Sequence, residues 1–172
     1  MRYVLKSKNF ILRPIRKSDK ESLIKNVNSR DVYRYTLRIP YPYTQKDWEK
    51  WIKHSFYIRR KKKPSEINFV IDINGVVGGI GLMDIEGHKA EIGYWLGKKY
   101  WNRGIITDAV RLVTNFAFRN LKLKRVYAPL FIKNKASARV LEKNGYKKEG
   151  ILRKHYMKNG KIIDAMLYAK VR

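Results

Sequence analysis

Cysteine is absent from this chain of 172 residues, and its 14 acidic residues are far outnumbered by 40 lysines and arginines. The lack of cysteine excludes disulfides, cysteine nucleophiles and thiolate metal sites. The three histidines, His54, His88 and His155, stand far apart, so we predict no metal site. No apolar run approaches the roughly 18 residues of a membrane helix, and none of signal-peptide length stands at the start. We therefore expect a soluble, cytoplasmic protein with no membrane partner.

Length and composition predict one globular domain. The chain has a common single-domain size, and 44% hydrophobic and 13% aromatic residues are enough for a buried core. Because no linker or internal repeat is visible, we assign residues 1–172 to a single domain.

The formal net charge of +26 exceeds what solubility requires. Two explanations stay open. Abundant Lys, Ile and Tyr are typical of an AT-rich genome or a thermophile, whereas a field of this size also favours a polyanion such as RNA or the ribosome. The densest basic run, residues 59–63, precedes Pro64 and is equally explained as the solvated end of a helix.

Residues 91–113 have the layout of an anion-binding turn. A strand leads through Gly104 into a segment with one apolar helical face, made by Ile106, Ala109, Val110, Val113, Phe116 and Ala117. We predict that this helix begins near Thr107. The amides that precede it have no intrahelical acceptors, and Gly104 lets an anion approach the backbone closely. A plain strand-to-helix turn explains the glycine equally well.

Two other phosphate-binding motifs do not fit. A Walker A loop needs Ser or Thr where Lys99 stands, and a Rossmann turn needs G-x-G-x-x-G, which does not occur.

The order of elements predicts an α/β (α+β) domain with about seven strands and four helices. Asn74-Gly75 and Asn159-Gly160 each suit a two-residue hairpin turn in which both residues take positive φ. The helix between the strands of residues 90–96 and 125–132 should connect them as parallel neighbours. The sheet is therefore expected to be mixed.

Two motifs resemble the GNAT superfamily of acyl-CoA-dependent N-acyltransferases. Residues 101–106, Trp-Asn-Arg-Gly-Ile-Ile, resemble the pyrophosphate loop Gln/Arg-x-x-Gly-x-Gly/Ala, with Trp101 first and Ile106 last. Residues 134–146 resemble the family's Asn-x-x-Ser-x-x-Val-Leu-Glu-Lys-x-Gly-Phe signature at the matching separation.

Features at both ends of the chain resemble the RimJ/RimL-like branch, which acetylates the N-termini of ribosomal proteins. Near the start stands Leu12-Arg13-Pro14 with Asp19; near the end stands Gly150-Ile-Leu-Arg153 with Tyr156 and Asp164. The resemblance thus covers nearly the whole chain.

The resemblance implies a cofactor and a fold for it. The family has a twisted mixed sheet whose fourth and fifth strands splay apart to admit the pantetheine arm of acetyl-CoA. The strand backbone of Tyr94, Trp95 and Leu96 would pair with that arm, and Asn134 would contact it, although Asn134 could equally cap a helix. The pyrophosphate would be held by the turn, with the side chain of Arg103 and the amides of Asn102, Arg103, Gly104, Ile105, Ile106 and Thr107.

The resemblance also bears on proton transfer. Many family members carry a tyrosine as general acid where this chain has Leu141. In the ribosomal branch that the chain resembles, the Ser of the motif sits at the sulfur, so the resemblance implies thiolate protonation by Ser137, whose hydroxyl could alternatively bond back to Asn134 or the backbone. Glu91 is our candidate base, with an ion pair to a lysine as the alternative.

The expected acceptor is a primary amine, in particular a protein N-terminal α-amine. At neutral pH roughly 10–20% of an α-amine is uncharged, against under about 0.1% of a lysine. The positive field disfavours cationic small molecules. An extended peptide would lie in a groove lined by Tyr33, Tyr35, Tyr41, Tyr43 and Tyr156, unless these tyrosines pack helices together.

Two alternatives remain from the sequence. A polyamine or antibiotic N-acetyltransferase would share every motif and would use an acidic patch drawn from Glu66, Asp84 and Glu86. A noncatalytic RNA-binding module would keep the basic surface. The oligomeric state, monomer or homodimer, is not predicted.

Overall fold

The structure is a computed structural model that describes residues 3–172. Within these residues, eight strands form one open sheet in the order β1-β2-β3-β4-β5-β6-β8-β7. They are β1 (Leu5–Lys6), β2 (Ile11–Arg13), β3 (Ile67–Asp72), β4 (Val76–Glu86), β5 (Lys89–Leu96), β6 (Arg125–Phe131), β7 (Lys147–Lys158) and β8 (Lys161–Val171). The α-helices are α1 (Lys20–Val27), α2 (Arg30–Tyr35), α3 (Gln45–Arg60), α4 (Ile105–Arg119) and α5 (Lys135–Lys143). The predicted single domain includes residues 1 and 2, which lie outside the described residues.

The α/β class and the mixed sheet are confirmed, with small differences in the elements. The two-residue β1 and the six-residue α2 were not predicted, because both are too short for a periodic pattern. Helix α4 begins at Ile105, two residues before the predicted start, because Gly104 takes φ 73° and acts as the N-cap.

Strands β5 and β6 are parallel neighbours, and every other strand pair is antiparallel. Their pairing runs only from Lys89–Arg125 to Glu91–Tyr127. Beyond Glu91 the two strands separate, which is the splay that the resemblance implied. It falls between the fifth and sixth strands rather than the fourth and fifth, because the unpredicted β1 adds one to the count.

Both predicted hairpin turns are confirmed by their backbone angles. Asn74 and Gly75 have φ of 52° and 123°, and Asn159 and Gly160 have φ of 50° and 70°. An asparagine followed by a glycine tolerates these angles, whereas a β-branched residue does not.

The two faces of the sheet carry separate cores. Helices α4 and α5 pack on one face with Phe69, Ile71 and Ile92, and helices α1 and α3 pack on the other with Val70 and Val76. Alternate residues of β3 therefore serve opposite cores.

Arg13 and Asp19 of the N-terminal signature have a structural role. Arg13 is 7% exposed, and its guanidinium donates to both carboxylate oxygens of Asp19 at 2.8 Å and to Asp72 at 2.6 Å. A buried charge of this kind needs such partners. The network ties β2 and β3 to the start of α1.

Within residues 3–172 no helix is long and apolar enough to cross a membrane.

Candidate active site

A cleft of about 890 Å³ lies at the separation of β5 and β6. It passes through the sheet, since Leu23 and Trp51 of helices α1 and α3 line one side and Ser137 and Leu141 of α5 line the other. Its size falls in the range of small-molecule sites.

Three glycines, Gly79, Gly81 and Gly93, form part of its floor on the α1/α3 face. Each leaves room for a side chain that lies flat on the sheet. A Cβ atom there would come within 2.5 Å of Trp95 Nε1, 2.3 Å of Asn68 Oδ1 and 2.6 Å of Met83 Cε, respectively. Larger residues at these positions would push those side chains into the cleft.

The backbone of β5 offers hydrogen-bond donors to the gap. Gly97 N–H donates to Val77 C=O of β4 at 2.8 Å. Because antiparallel pairs alternate, Trp95 also points its backbone groups towards β4, and Tyr94 and Leu96 point theirs towards β6, which no longer pairs. Trp95 therefore differs from the expectation, because its indole and not its backbone faces the cleft.

The turn before α4 has the free amides that the sequence predicted. The first bond of α4 runs from Asp108 N–H to Gly104 C=O at 3.0 Å, and none of residues 3–172 accepts a hydrogen bond from the amides of residues 102–107. A Cβ atom at Gly104 would meet nothing within 4 Å. The exposed Arg103 guanidinium lies 5.9 Å from the Tyr100 ring. These residues lie outside the lining of the 890 Å³ cleft.

The side chains of this turn anchor it. Ile105 is buried in the core and Ile106 packs against it, while Trp101 Nε1 donates to Leu96 C=O at 2.8 Å. Asn144 Nδ2 donates to Thr107 C=O at 3.1 Å, which fastens the end of α5 to the start of α4.

At the start of α5, Asn134 caps the helix: its Oδ1 accepts from Ser137 N–H at 3.1 Å. Asn134 is 8% exposed and lines the cleft, and its Nδ2 makes no hydrogen bond to another described residue. The Ser137 hydroxyl is likewise without a partner among the described residues, so it is not bonded back to Asn134 or the backbone. Tyr94 donates from its hydroxyl to Ser137 C=O at 3.3 Å, a contact that the sequence did not predict.

Glu91, the last residue of β5 that pairs with β6, lines the cleft and is half-buried. No lysine or arginine of residues 3–172 forms an ion pair with it. Burial raises the pKa of the Glu91 carboxyl above its ordinary value, with Arg38 opposing the rise and Asp84 adding to it. A raised pKa suits a proton acceptor that works near neutral pH.

The five tyrosines of the expected groove divide between two cavities. Tyr35, Tyr43 and Tyr156 line the cleft, whereas Tyr33 and Tyr41 line a second cavity of about 360 Å³. Tyr43 is also a packing residue, since it is 8% exposed and burial raises its pKa to about 12. The cavities share Leu37, Arg38, Ile39 and Pro40 as a wall, so the predicted groove is interrupted there.

Lys158 holds the segment that carries this wall. Its ammonium donates to the carbonyls of Tyr33 and, at 2.6 Å, Thr36, and it lies 3.9 Å from the Tyr33 ring centroid. Burial lowers the pKa of Lys158. Nothing in the sequence distinguished this lysine from the other 39 basic residues.

A polar cluster made by α3, β3 and the residue before β3 also lines the cleft. The Glu66 carboxylate contacts His54 Nε2 and accepts from Asn68 Nδ2 at 2.8 Å. Of the acidic patch considered for small amines, only Glu66 lines the cleft; Asp84 lies 4.0 Å from Arg38 and Glu86 pairs across from Lys89. In the described part of the chain no three His, Cys, Asp or Glu side chains are grouped as a metal site.

Comparison with known proteins gives consistent results. The GNAT acetyltransferase domain model matches residues 9–147. The probable N-acetyltransferase YjcK of Bacillus subtilis is 37% identical over 166 residues, 91% of each chain. The spermidine N(1)-acetyltransferase of Escherichia coli is 26% identical over 159 residues, 90% of this chain and 82% of that protein.

Among solved structures, the ribosomal alpha-N-protein acetyltransferase RimL in complex with coenzyme A shares the fold. Its TM-score is 0.88 over 98% of both chains, at 22% sequence identity. Together with the splayed sheet and the free amides before α4, the family match over most of the chain establishes that this protein is an acyltransferase of the GNAT family.

Proposed function

We propose that the protein transfers an acetyl group from acetyl-CoA to the N-terminal α-amine of a polypeptide, by direct attack in a ternary complex. The second, tyrosine-lined cavity next to the cleft carries this proposal, since residues 37–40 border both cavities. A polypeptide needs space for the residues that follow its first one, whereas a small amine does not. The resemblance to RimL supports the same reading at the level of the fold.

The donors described above fit acetyl-CoA. A phosphate suits the free amides at the start of α4, because the helix dipole adds to them and the space beside Gly104 is open. The backbone N–H groups of Tyr94 and Leu96 and the Asn134 Nδ2 suit the carbonyls of a pantetheine arm. When bound, acetyl-CoA supplies an acetyl thioester that an amine can attack.

We assign the proton transfers to two side chains. Glu91 has no ion-pair partner and can accept the amine proton directly or through water. The Ser137 hydroxyl is free to donate to sulfur, which is otherwise left as a thiolate. Because Leu141 has no proton to give, Ser137 is our choice for that role.

A small amine is the second candidate acceptor. Glu66 and Glu91 place carboxylates in the cleft, so the local field is less positive than the net charge suggests. The spermidine acetyltransferase among the relatives supports the same alternative.

Acceptor preference tests the proposal. We expect kcat/KM to be higher for peptides that begin with Ala, Ser or Thr than for spermidine, or for the same peptides blocked at the N-terminus and carrying a lysine. It should also rise as the peptide is lengthened from two residues to about six, because an extended chain gains roughly 3.3–3.6 Å per residue and reaches the second cavity. Faster acetylation of spermidine or of the blocked peptides would replace the proposal with the small-amine or lysine alternative.

Replacing Ser137 by alanine should reduce kcat by about 10²-fold, the low end for general acid help, because a thiolate is a fair leaving group. The affinity for acetyl-CoA should stay close to wild type, since Asn134 still accepts the backbone N–H of residue 137. Steady-state kinetics and a binding titration separate the two effects. Ser65→Ala, on the exposed loop before β3, is the matched control; equal turnover in both variants removes Ser137 from the mechanism.

A further inference from the structure

Arg38 brings a cation to the part of the cleft that an amine must enter. It lies between α2 and α3, and its guanidinium reaches over the sheet to 3.4 Å from Met83 Sδ and 4.0 Å from Asp84 Oδ2. Met83 stands directly opposite Glu91 in the β4–β5 pairing. The Arg38 guanidinium therefore lies beside Met83, the residue of β4 that is paired with the candidate base Glu91.

The reaction requires an uncharged amine, yet most α-amines carry a proton at neutral pH. A fixed cation disfavours the approach of an ammonium and lowers the pKa of an amine that is already bound. Glu91 alone would have the opposite effect, because a carboxylate stabilises an ammonium. The pair of opposite charges around Met83 thus balances attraction of the amine against its deprotonation.

We propose that Arg38 makes the acceptor subsite selective for the uncharged form of the amine. The inference rests on the proposed function only in requiring a primary amine beside Glu91, whichever acceptor carries it. Arg38 acts as a specificity-determining residue and touches no reacting atom.

Other charges near Glu91 do not supply this effect. The titratable groups that interact electrostatically with Glu91 are Arg38 itself, Asp84 of β4, Tyr127 of β6 and Tyr156 of β7, and Arg38 is the one cation among these four. The described side chains of Lys50, His54, Glu66 and His155 also line the cleft, but none of them forms an ion pair with Glu91. Removing it should therefore raise the pKa of both Glu91 and the bound amine, so that activity begins at higher pH.

The test is the pH dependence of kcat, which reports groups in the substrate complex. For Arg38→Met we expect the midpoint of the rising limb to move up by about half a pH unit, since the guanidinium is two-thirds exposed and solvent weakens its field. Arg38→Lys keeps the positive charge, so its midpoint should lie close to that of wild type. Arg34→Met, on the exposed face of α2 outside both cavities, is the matched control and should leave the midpoint unchanged.

An acceptor without a titrating amine isolates the selectivity. The same peptide with an N-terminal aminooxyacetyl group is uncharged throughout the range, so with it the Arg38→Met shift should shrink to the part contributed by Glu91. An equal shift with both acceptors, or no shift with either, overturns the inference. If spermidine is acetylated and peptides are not, the proposed acceptor fails, while spermidine profiles still test Arg38.

Discussion

Glu91→Gln is expected to lower kcat by roughly 10²–10⁴-fold, the usual range for removal of a general base. Glutamine keeps the size of the side chain but cannot take a proton from the amine. Acetyl-CoA affinity should be unchanged, because the groups proposed to hold it lie on the turn before α4 and on the β5 backbone. Single-turnover acetylation with saturating acetyl-CoA is the measurement.

The thermal stability of Glu91→Gln should not fall with its activity. Burial raises the pKa of the Glu91 carboxyl in the folded protein. Protonation of Glu91 therefore stabilises the fold below the ordinary carboxyl pKa, and this stabilisation is lost as the pH rises through the raised pKa. At neutral pH a neutral glutamine avoids that loss, and the Tm of Glu91→Gln should equal or exceed that of wild type. Glu86→Gln, exposed near the β4–β5 turn, is the control. Full activity in Glu91→Gln would show that another group, or water alone, accepts the proton.

Gly104→Val is expected to abolish tight binding of acetyl-CoA. The side chain would enter the open space in front of the amides of residues 102–107. Each charge-assisted hydrogen bond lost there is worth about 1.5–3 kcal/mol, or roughly tenfold to more than a hundredfold in affinity. Isothermal titration with acetyl-CoA measures the loss directly.

Backbone strain must be separated from this blockage, because Gly104 has φ 73°. Gly87→Val provides the match: Gly87 has φ 53°, also has nothing within 4 Å of a Cβ atom, and lies at the β4–β5 turn. Both variants should lose about 1–2 kcal/mol of stability. Only Gly104→Val should lose cofactor affinity, and equal affinity in the two folded variants would refute the assignment of the turn.

The parts of the fold that followed from the sequence depend on local rules. Asn74-Gly75 and Asn159-Gly160 fixed two hairpins because few dipeptides tolerate two positive φ angles, and the apolar face of α4 fixed a strand–helix–strand crossover. The splay of β5 and β6 had no local signal and came from the resemblance alone. Helix α2 was missed because its six residues contain a single buried side chain, Val32.

The candidate site was predictable to a similar extent. The free amides before α4 follow from helix geometry, and Asn134 and Ser137 stand in a motif. The roles of Lys158 and Arg38 could not be predicted from the sequence, since their positions depend on contacts between segments far apart in the chain. For the same reason the sequence could not show that Tyr33 and Tyr41 lie in a second cavity, beyond the wall of residues 37–40.

The net charge of +26 is not explained by the site. The basic run of residues 59–63 lies at the end of α3, where Tyr57 is 61% exposed and Lys61 lies 4.7 Å from its ring. This surface suits a solvated helix end and a contact with RNA equally.

The site of acetylation on a polypeptide tests the central claim most directly. A peptide of about six residues with a free N-terminal alanine and an internal lysine, incubated with the protein and acetyl-CoA, can be fragmented in a tandem mass spectrometer to locate the acetyl group. We predict acetylation of the α-amine and an unmodified lysine. Acetyl groups on the lysine, or an unmodified peptide beside acetylated spermidine in the same mixture, would contradict it.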